Sequence, residues 1–289
     1  YLISYSDRIR STGRITRYSL GGWRREGKRE YFGELSWKRF RRMTGGKNRH
    51  TFRFRISAYN VFDRSYGSEF NWDNGKVNSL SFKYKFTTNA YKNKIDYRFR
   101  IKIAPGFRGS NNHSFGKIEA ELKHSIRILK SGKLKLQLRA FSGYKIGGKL
   151  PRQEKYNMAT PSPVEADRIF LLNEGGPLRS FSTGGVNRYH FYGGGNVRGY
   201  WNRVMTGDGV SSISAVLKIP LSAVLFFDGG ILKNGYDNPV KEDISGRFIY
   251  DLGIGFRFSL FHIDFPLWLN SPENGEDNFK FRWVVRLGI

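Results

Sequence analysis

The C-terminus of the chain reads Phe279-Lys280-Phe281-Arg282-Trp283-Val284-Val285-Arg286-Leu287-Gly288-Ile289. Successive side chains of a β-strand point to opposite sides of the sheet, so this order separates the segment into two faces. One face is polar except for Val284 and holds Lys280, Arg282, Arg286 and Gly288. The other face is entirely apolar and holds Phe279, Phe281, Trp283, Val285, Leu287 and Ile289. The segment therefore predicts a strand with one apolar and one cationic side.

The same alternation recurs near residues 52–56, 80–86, 95–103 and 133–139. In each of these segments a row of apolar side chains opposes a row of polar ones, which include Lys83, Lys85, Arg98, Arg100, Lys102, Lys133, Lys135 and Arg139. A soluble β-sandwich also alternates, with its apolar face in a core. Such a sandwich usually contains some strands that are apolar on both faces, whereas here nearly every strand has a charged face. A membrane barrel, apolar toward lipid and polar toward a wet lumen, explains this pattern better.

The composition excludes several classes of protein. The 289 residues include no Cys, so neither disulfides nor a thiolate metal site can form. No stretch approaches the roughly 18 apolar residues of a transmembrane helix. The net charge of +26 is typical of a nucleic-acid-binding surface. The chain nevertheless has no nucleic-acid recognition motif, zinc site or basic helix, and we expect no nucleic-acid partner.

The joins between the predicted strands alternate in length. Short joins at Ser131-Gly132, Pro220-Leu221 and Ser259-Leu260 separate long joins at 105–113, 144–165, 190–209, 232–247 and 269–277. Outer-membrane barrels have short periplasmic turns and long external loops. We predict strands near 13–22, 31–42, 51–62, 78–87, 95–104, 114–129, 133–143, 166–173, 178–189, 210–219, 222–231, 248–258, 261–268 and 279–289, and part of another over 1–10. The predicted fold is all-β, a closed transmembrane antiparallel β-barrel of about 14–16 strands.

Four short segments in the C-terminal part carry a family resemblance. They are Gly193-Gly194-Gly195-Asn196-Val197-Arg198-Gly199-Tyr200, Phe226-Phe227-Asp228-Gly229-Gly230, Tyr250–Arg257 and Ile263–Leu267. In this order they resemble the BamA/TamA family of outer-membrane assembly and translocation barrels, in the bacterial surface antigen superfamily. The resemblance covers about residues 185–289. It implies that the long external loop 190–209 folds into the lumen ahead of the fifth strand from the C-terminus.

Arg198 is the motif residue with the clearest need for a partner. The glycines permit close approach of the backbone, and a guanidinium is suited to bidentate pairing with a carboxylate. If the loop enters a cationic lumen, Arg198 requires an acid, and few acids are expected to face inward. Asp228 is the first candidate, which the resemblance also implies, and Asp251 is the second. The motif alone would favour an exposed glycine hairpin with a solvated Arg198, whereas the motif together with the other three segments favours the pair. The predicted site residues of the motif are Gly194, Gly195, Val197, Arg198, Gly199 and Tyr200.

The resemblance also implies a function. In this family the first and last strands pair weakly, and client strands can add to the exposed edge. Segment 279–289 would be one side of this seam, through Phe279, Phe281, Trp283, Val285 and Leu287. The expected location is the outer membrane of a Gram-negative bacterium. The expected partners are outer-membrane lipid and lipopolysaccharide, client outer-membrane or secreted proteins, and accessory lipoproteins.

Two other functions remain open at the level of sequence. The cations could line an anion-selective porin, although this does not explain the motif loop. The barrel could also anchor a fused hydrolase, such as a patatin-like lipase or a peptidase. Because the chain begins at Tyr1 without a signal peptide, we expect 1–289 to be the barrel domain of a longer protein, whose first hairpin or periplasmic domain precedes it. The five His make no ligand-spaced pair and no G-x-S-x-G segment occurs, so we predict no catalytic residue, metal or cofactor.

Overall fold

The computed structural model of the chain describes residues 2–11, 14–25, 28–43, 46–62, 72–90, 93–106, 113–129, 134–159, 186–187, 194–200, 203–237, 242–258, 261–272 and 277–287. The chain forms two compact units. Unit 1 comprises residues 1–122 and 144–153, and unit 2 comprises residues 123–143 and 154–289. Over the described residues the helical segments are the 3-10 turns Arg152–Glu154 and Arg198–Tyr200. No described helix is long and apolar enough to cross a membrane.

Unit 1 is an antiparallel sheet in which neighbours in sequence are neighbours in space. Its strands are β1 (Leu2–Ser11), β2 (Arg14–Arg25), β3 (Lys28–Met43), β4 (Gly46–Val61), β5 (Gly75–Ala90) and β6 (Asn93–Ala104), which pair in that order. The first part of β7 (Phe115–Arg127) and the last part of β8 (Lys135–Gly148) also belong to this unit. β3 and β4 have 16 residues each, which exceeds the roughly 9–11 that a spanning barrel strand needs.

Unit 2 contains a main sheet and a small one. Its further strands are β9 (Tyr156–Asn157), β10 (Val186–Asn187), β11 (Met205–Gly207), β12 (Gly209–Lys218), β13 (Ala223–Lys233), β14 (Tyr236–Asp237), β15 (Glu242–Asp243), β16 (Phe248–Arg257), β17 (Phe261–Leu269) and β18 (Val284–Leu287). The main sheet has the order β8-β12-β13-β16-β17-β18-β10, and the small sheet has the order β15-β14-β11-β9. Three neighbouring strands of the main sheet, β13, β16 and β17, carry the acids of the site described below.

Side-chain burial in the sheet of unit 1 is the inverse of burial in a water-soluble sheet. Ile56, Leu80 and Ile103 are 65%, 53% and 51% exposed, while Arg100 and Lys102 are each 2% exposed. Charged residues of soluble proteins are almost never fully buried unless they are paired, and large contiguous apolar surfaces are seldom left to water. We call the side that bears Ile56, Leu80 and Ile103 the apolar face and its opposite the polar face. The alternation read from the sequence therefore corresponds to two chemically distinct faces, and the predicted fold class is confirmed.

Most predicted strands are present, with shifted ends, and the partial strand expected over 1–10 is the ten-residue β1. The prediction of a strand over 279–289 is wrong at its start, because β18 begins at Val284, and residues 288–289 lie outside the described residues. Phe279 forms an isolated bridge with Trp268, so the ladder between β17 and the C-terminal segment is interrupted. Pro266 lies in the interrupted part of β17 and has no N–H to donate.

Two of the predicted strands lie largely beyond the described residues. The strand at 166–173 is wholly outside them. The strand at 178–189 is described only at Val186 and Asn187, which pair in parallel with Val285 and Arg286 of β18. This parallel pairing differs from the antiparallel order that the sequence predicted.

Candidate functional site

The motif segment 194–200 is buried along its whole length. The amide of Gly195 donates to the Asn157 carbonyl at 2.8 Å, and that of Val197 donates to the Met158 carbonyl at 3.1 Å. A Cβ on Gly195 would lie 2.2 Å from the Met158 carbonyl oxygen, so the two backbones can approach this closely only at a glycine. The close approach fixes the path of the segment immediately before Arg198.

Arg198 is fully buried and makes several polar contacts with wall strands of unit 2. Its Nη2 donates to Asp228 Oδ1 at 3.0 Å, and its Nε donates to Asp228 Oδ2, so the two groups meet in the bidentate geometry. Its Nη1 lies 3.4 Å from Asp264 Oδ1. The guanidinium carbon also lies 3.8 Å from the centroid of the Phe226 ring, within the range of a cation–π contact.

Three buried carboxylates surround the tip of the motif, and each comes from a different strand. Asp228 on β13 is the register partner of Asp251 on β16, and Asp264 lies on β17. The Asp251 carboxylate accepts a hydrogen bond from the amide of Gly199. Arg257 Nη1 lies 3.4 Å from Asp264 Oδ1 and supplies a second cation. Acids buried this closely require such cations and donors, because uncompensated buried charge is strongly destabilising.

Both acids that the sequence predicts as partners of Arg198 lie at the motif. Arg198 and Asp228, the first-choice pair, lie in direct contact. Asp251, the second choice, contacts the backbone of the motif at Gly199. The sequence reasoning did not identify Asp264 as a partner of Arg198. Alternation places Asp264 on the polar face of its strand, but the register that brings it to Arg198 is not readable from one sequence.

Arg139 has a role that sequence reasoning missed. It was expected to be a lumen cation, and it lies on β8. Its Nη2 donates to the Gly194 carbonyl at 3.0 Å, and its Nη1 donates to the Gly195 carbonyl at 3.0 Å and to Ser212 Oγ at 3.2 Å. A backbone carbonyl in a buried loop needs a donor. Arg139 therefore satisfies two carbonyls of the motif and ties the motif to β8 and β12.

Tyr200 closes the other end of the motif. Its hydroxyl accepts from the Ser271 amide at 3.0 Å and can donate to Asn270 Oδ1 at 3.1 Å. Burial raises the pKa of Tyr200, so the hydroxyl keeps its proton and remains a donor. Asn270 Nδ2 donates in turn to the Phe248 carbonyl at 2.7 Å, which links the motif to the first residue of β16.

The predicted lumen cations of unit 1 are largely engaged with acids or rings. Lys85 lies 3.6 Å from Asp96, Arg98 3.7 Å from Glu121 and Arg100 2.5 Å from Glu119. Lys102 lies over the rings of Tyr59 and Phe115. Lys83 and Lys135, of which Lys135 belongs to unit 2, are partly buried, and each interacts with other residues of the chain. The expectation of few inward acids is wrong in this unit, because alternation along β7 also buries Glu119 and Glu121.

The segment predicted as a seam has one strongly apolar exposed side. Phe279, Phe281 and Trp283 are 64%, 70% and 49% exposed, and Val285 is partly buried. Val284, the apolar exception on the polar face, is fully buried. The side chain of Leu287 is outside the part of the chain that is described. Phe279, Phe281 and Trp283 therefore continue the face on which Val285 of β18 lies.

Comparison with known proteins gives a likeness in fold without a close relative in sequence. No family model and no curated protein matches the chain. CdiB from Acinetobacter baumannii is 12% identical with a TM-score of 0.54, over 98% of this chain and 48% of that chain. CdiB from Escherichia coli is 12% identical with a TM-score of 0.53, over 98% and 53% of the two chains. BamA from Haemophilus ducreyi lacking POTRA domains 1-3 is 11% identical with a TM-score of 0.49, over 98% and 61%.

The chain spans about half the length of the CdiB chains that it matches. At this level of identity, the likeness to CdiB is a likeness of fold. The chain therefore has the fold of CdiB.

Proposed function

We propose that this chain is an outer-membrane barrel that assembles or translocates a protein client. The observation that carries the proposal is the motif loop, whose Arg198 contacts acids of β13 and β17 in a fold shared with CdiB. A passive pore does not require a buried loop fixed to its wall through charges. The same loop carries the motif Gly193–Tyr200, whose resemblance to the BamA/TamA family implies assembly or translocation.

In this proposal the Arg198–Asp228 pair fixes the position of the motif loop. Buried ion pairs contribute little net stability, but they can select one arrangement of the elements that they join. Arg198 joins the loop to β13 and β17, and Gly199 joins it to β16 through Asp251. Arg139 adds β8 and, through Ser212, β12. The loop is thus connected by hydrogen bonds and ion pairs to five strands of unit 2.

The client would be engaged at the C-terminal strand. Within residues 261–272 and 277–287, β18 pairs with β17 from Val284 to Leu287, and the aromatic segment before Val284 is attached by an isolated bridge. A short ladder has few backbone hydrogen bonds to break, and an open strand edge is a template for another strand. Client outer-membrane or secreted proteins are the proposed partners, within an outer membrane that supplies lipid and lipopolysaccharide, and accessory lipoproteins would assist.

An anion-selective porin is the competing function. Selective pores depend on rings of charged or polar groups that are available to the permeating ion. The pairing of Arg98 and Arg100 with glutamates removes part of this cationic lining. The porin nevertheless makes a distinct prediction, a large and stable anion current in planar bilayers, which the proposed function does not require.

The proposed function can be tested by replacing the chromosomal gene in the native host with one encoding Arg198→Ala. Quantitative proteomics of the outer membrane and the medium should then show a small set of outer-membrane or secreted proteins reduced by about tenfold, the consequence of about 1.4 kcal/mol lost from a single step. Exposed Arg247, paired with Glu242 in the join between β13 and β16, provides the matched control Arg247→Ala. An unchanged set of outer-membrane and secreted proteins, at equal barrel levels, would contradict the proposal.

A further inference from the structure

The apolar face of unit 1 ends in exposed arginines near the end of β3. Along this face Tyr31, Leu35 and Trp37 are followed by Arg39 and Arg41. Both arginines are exposed, and neither has an ion-pair partner in the part of the chain that the structure describes. Two guanidinium groups therefore border an apolar surface without a neutralising acid from that part of the chain.

The cross-strand neighbours of these arginines provide no negative charge. On β4 the register partner of Arg39 is His50 and that of Arg41 is Asn48. On β2 the register partner of Arg39 is Arg14, another cationic residue type. Opposite charges in facing positions stabilise a sheet, and their absence leaves the positive charge of this corner uncompensated. The arrangement is suited to an external anion.

The position of the arginines along the strand identifies the kind of anion. Counted from Tyr31, Trp37 is the seventh residue and lies about 20 Å along the strand at roughly 3.3 Å per residue. Arg39 and Arg41 are the ninth and eleventh residues, where a tilted spanning strand of about 9–11 residues reaches the edge of the apolar band. Trp37 stacks on Phe52 of β4 with 4.7 Å between the ring centroids, and His50 lies 2.9 Å from the Tyr84 hydroxyl. Aromatic residues of this kind mark the edge of the apolar band. Arg39 and Arg41 come directly after it, at the level of lipid phosphates.

The short join between β3 and β4 identifies the leaflet. β3 ends at Met43 and β4 begins at Gly46, and at the same edge of the sheet β5 ends at Ala90 and β6 begins at Asn93, so two residues form each join. At the opposite edge β4 ends at Val61 and β5 begins at Gly75, a join of 13 residues. Short joins of outer-membrane barrels lie on the periplasmic side, whereas lipopolysaccharide occupies the opposite leaflet. The phosphates near Arg39 and Arg41 are therefore those of phospholipids.

We propose that Arg39 and Arg41 form a binding site for the phosphate of an anionic phospholipid in the periplasmic leaflet. The inference rests on the membrane location in the proposed function but not on the identity of the client. Planar guanidinium groups pair with phosphate oxygens in a bidentate manner, which lysine cannot reproduce. Trp37, two residues earlier on the same face, packs beside the glycerol region of the bound lipid.

Native mass spectrometry of the full chain, released from mixed micelles containing phosphatidylglycerol or phosphatidylcholine, tests this site. The double variant Arg39→Gln/Arg41→Gln should bind phosphatidylglycerol about 25-fold more weakly, from about fivefold for each charge near a membrane surface. Binding of phosphatidylcholine should fall by less, because the choline cation offsets the charge of its phosphate. Arg17→Gln/Arg49→Gln is the matched control, because it removes two charges near the same ends of β2 and β4 on the polar face.

Each other outcome would overturn the site. Equal losses in the two double variants would indicate diffuse attraction, and no loss in either would show that the arginines do not contact lipid. In a further set of micelles that contain lipopolysaccharide, loss of lipopolysaccharide binding without loss of phosphatidylglycerol binding would contradict a phospholipid site. Resistance of the folded protein to denaturation by detergent at room temperature verifies that each variant is folded. The lipid site and the proposed function can fail separately. Selective phosphatidylglycerol binding, together with an unchanged host proteome in the Arg198→Ala strain, would support the lipid site and contradict the proposed function.

Discussion

Arg198→Ala is expected to lower the free energy of unfolding by about 3–5 kcal/mol, the range found when one partner of a buried ion pair is removed. The substitution leaves Asp228 fully buried without the guanidinium that contacts both of its carboxylate oxygens. Asp264 loses one of its two arginine contacts and keeps that of Arg257. The unfolding transition of the purified protein, followed with denaturant in detergent micelles, measures the loss.

Two further variants separate charge from packing. Asp228→Asn added to Arg198→Ala should recover a substantial part of the stability, because it removes the uncompensated carboxylate. Arg198→Lys should fall between the wild type and Arg198→Ala, since lysine retains the charge but cannot bridge both oxygens of Asp228. If the single and double variants were equally unstable, the contact between Arg198 and Asp228 would not explain the effect.

Gly195→Ala is expected to displace the motif loop, with a cost of about 1–3 kcal/mol from overpacking and about 1 kcal/mol more for each backbone hydrogen bond that is lost. The added methyl group would lie 2.2 Å from the Met158 carbonyl oxygen, so one of the two backbones must move. This movement would break the bonds from Gly195 to Asn157 and from Val197 to Met158. The displaced loop should become sensitive to limited proteolysis within residues 194–200.

Gly33→Ala provides the matched control for this substitution. Its added methyl group would meet only the Cδ2 atom of Leu20, at 3.3 Å, and that flexible side chain can give way. Stability and protease resistance should remain close to those of the wild type. Wild-type protease resistance in Gly195→Ala would show that the close approach to Met158 does not hold the loop.

The sequence predicts the two-faced strands because alternation is a local property. From Leu80 to Phe86 in β5 and from Ile95 to Ile103 in β6, apolar and polar residues alternate at every position, and no tertiary information is needed to assign the faces. The short β18 is different, because its length depends on Pro266 of β17 and on the pairing between the two strands. Alternation continues through Phe279 and Phe281 even though the ladder is interrupted there. Periodicity therefore locates a strand more reliably than it locates the strand's ends.

The site shows the same division between local and long-range information. The motif and Asp228 could be selected from residue types, because a buried guanidinium needs a carboxylate. Asp264 and Arg139 could not be selected in the same way, because they are 66 and 59 positions from Arg198 and reach the motif only through strand register. Arg139 also binds backbone carbonyls rather than an acid, and a sequence gives no sign of which carbonyls need a donor.

The central claim is that the apolar face of the sheet contacts lipid. The chain has no Cys, so single cysteines for spin labels can replace Leu80, Ser81, Phe82 and Lys83 of β5 in turn. In vesicles, we predict high collision rates with dissolved oxygen for labels at Leu80 and Phe82 and low rates at Ser81 and Lys83. Uniform rates along β5, or an alternation in the opposite phase, would contradict the claim.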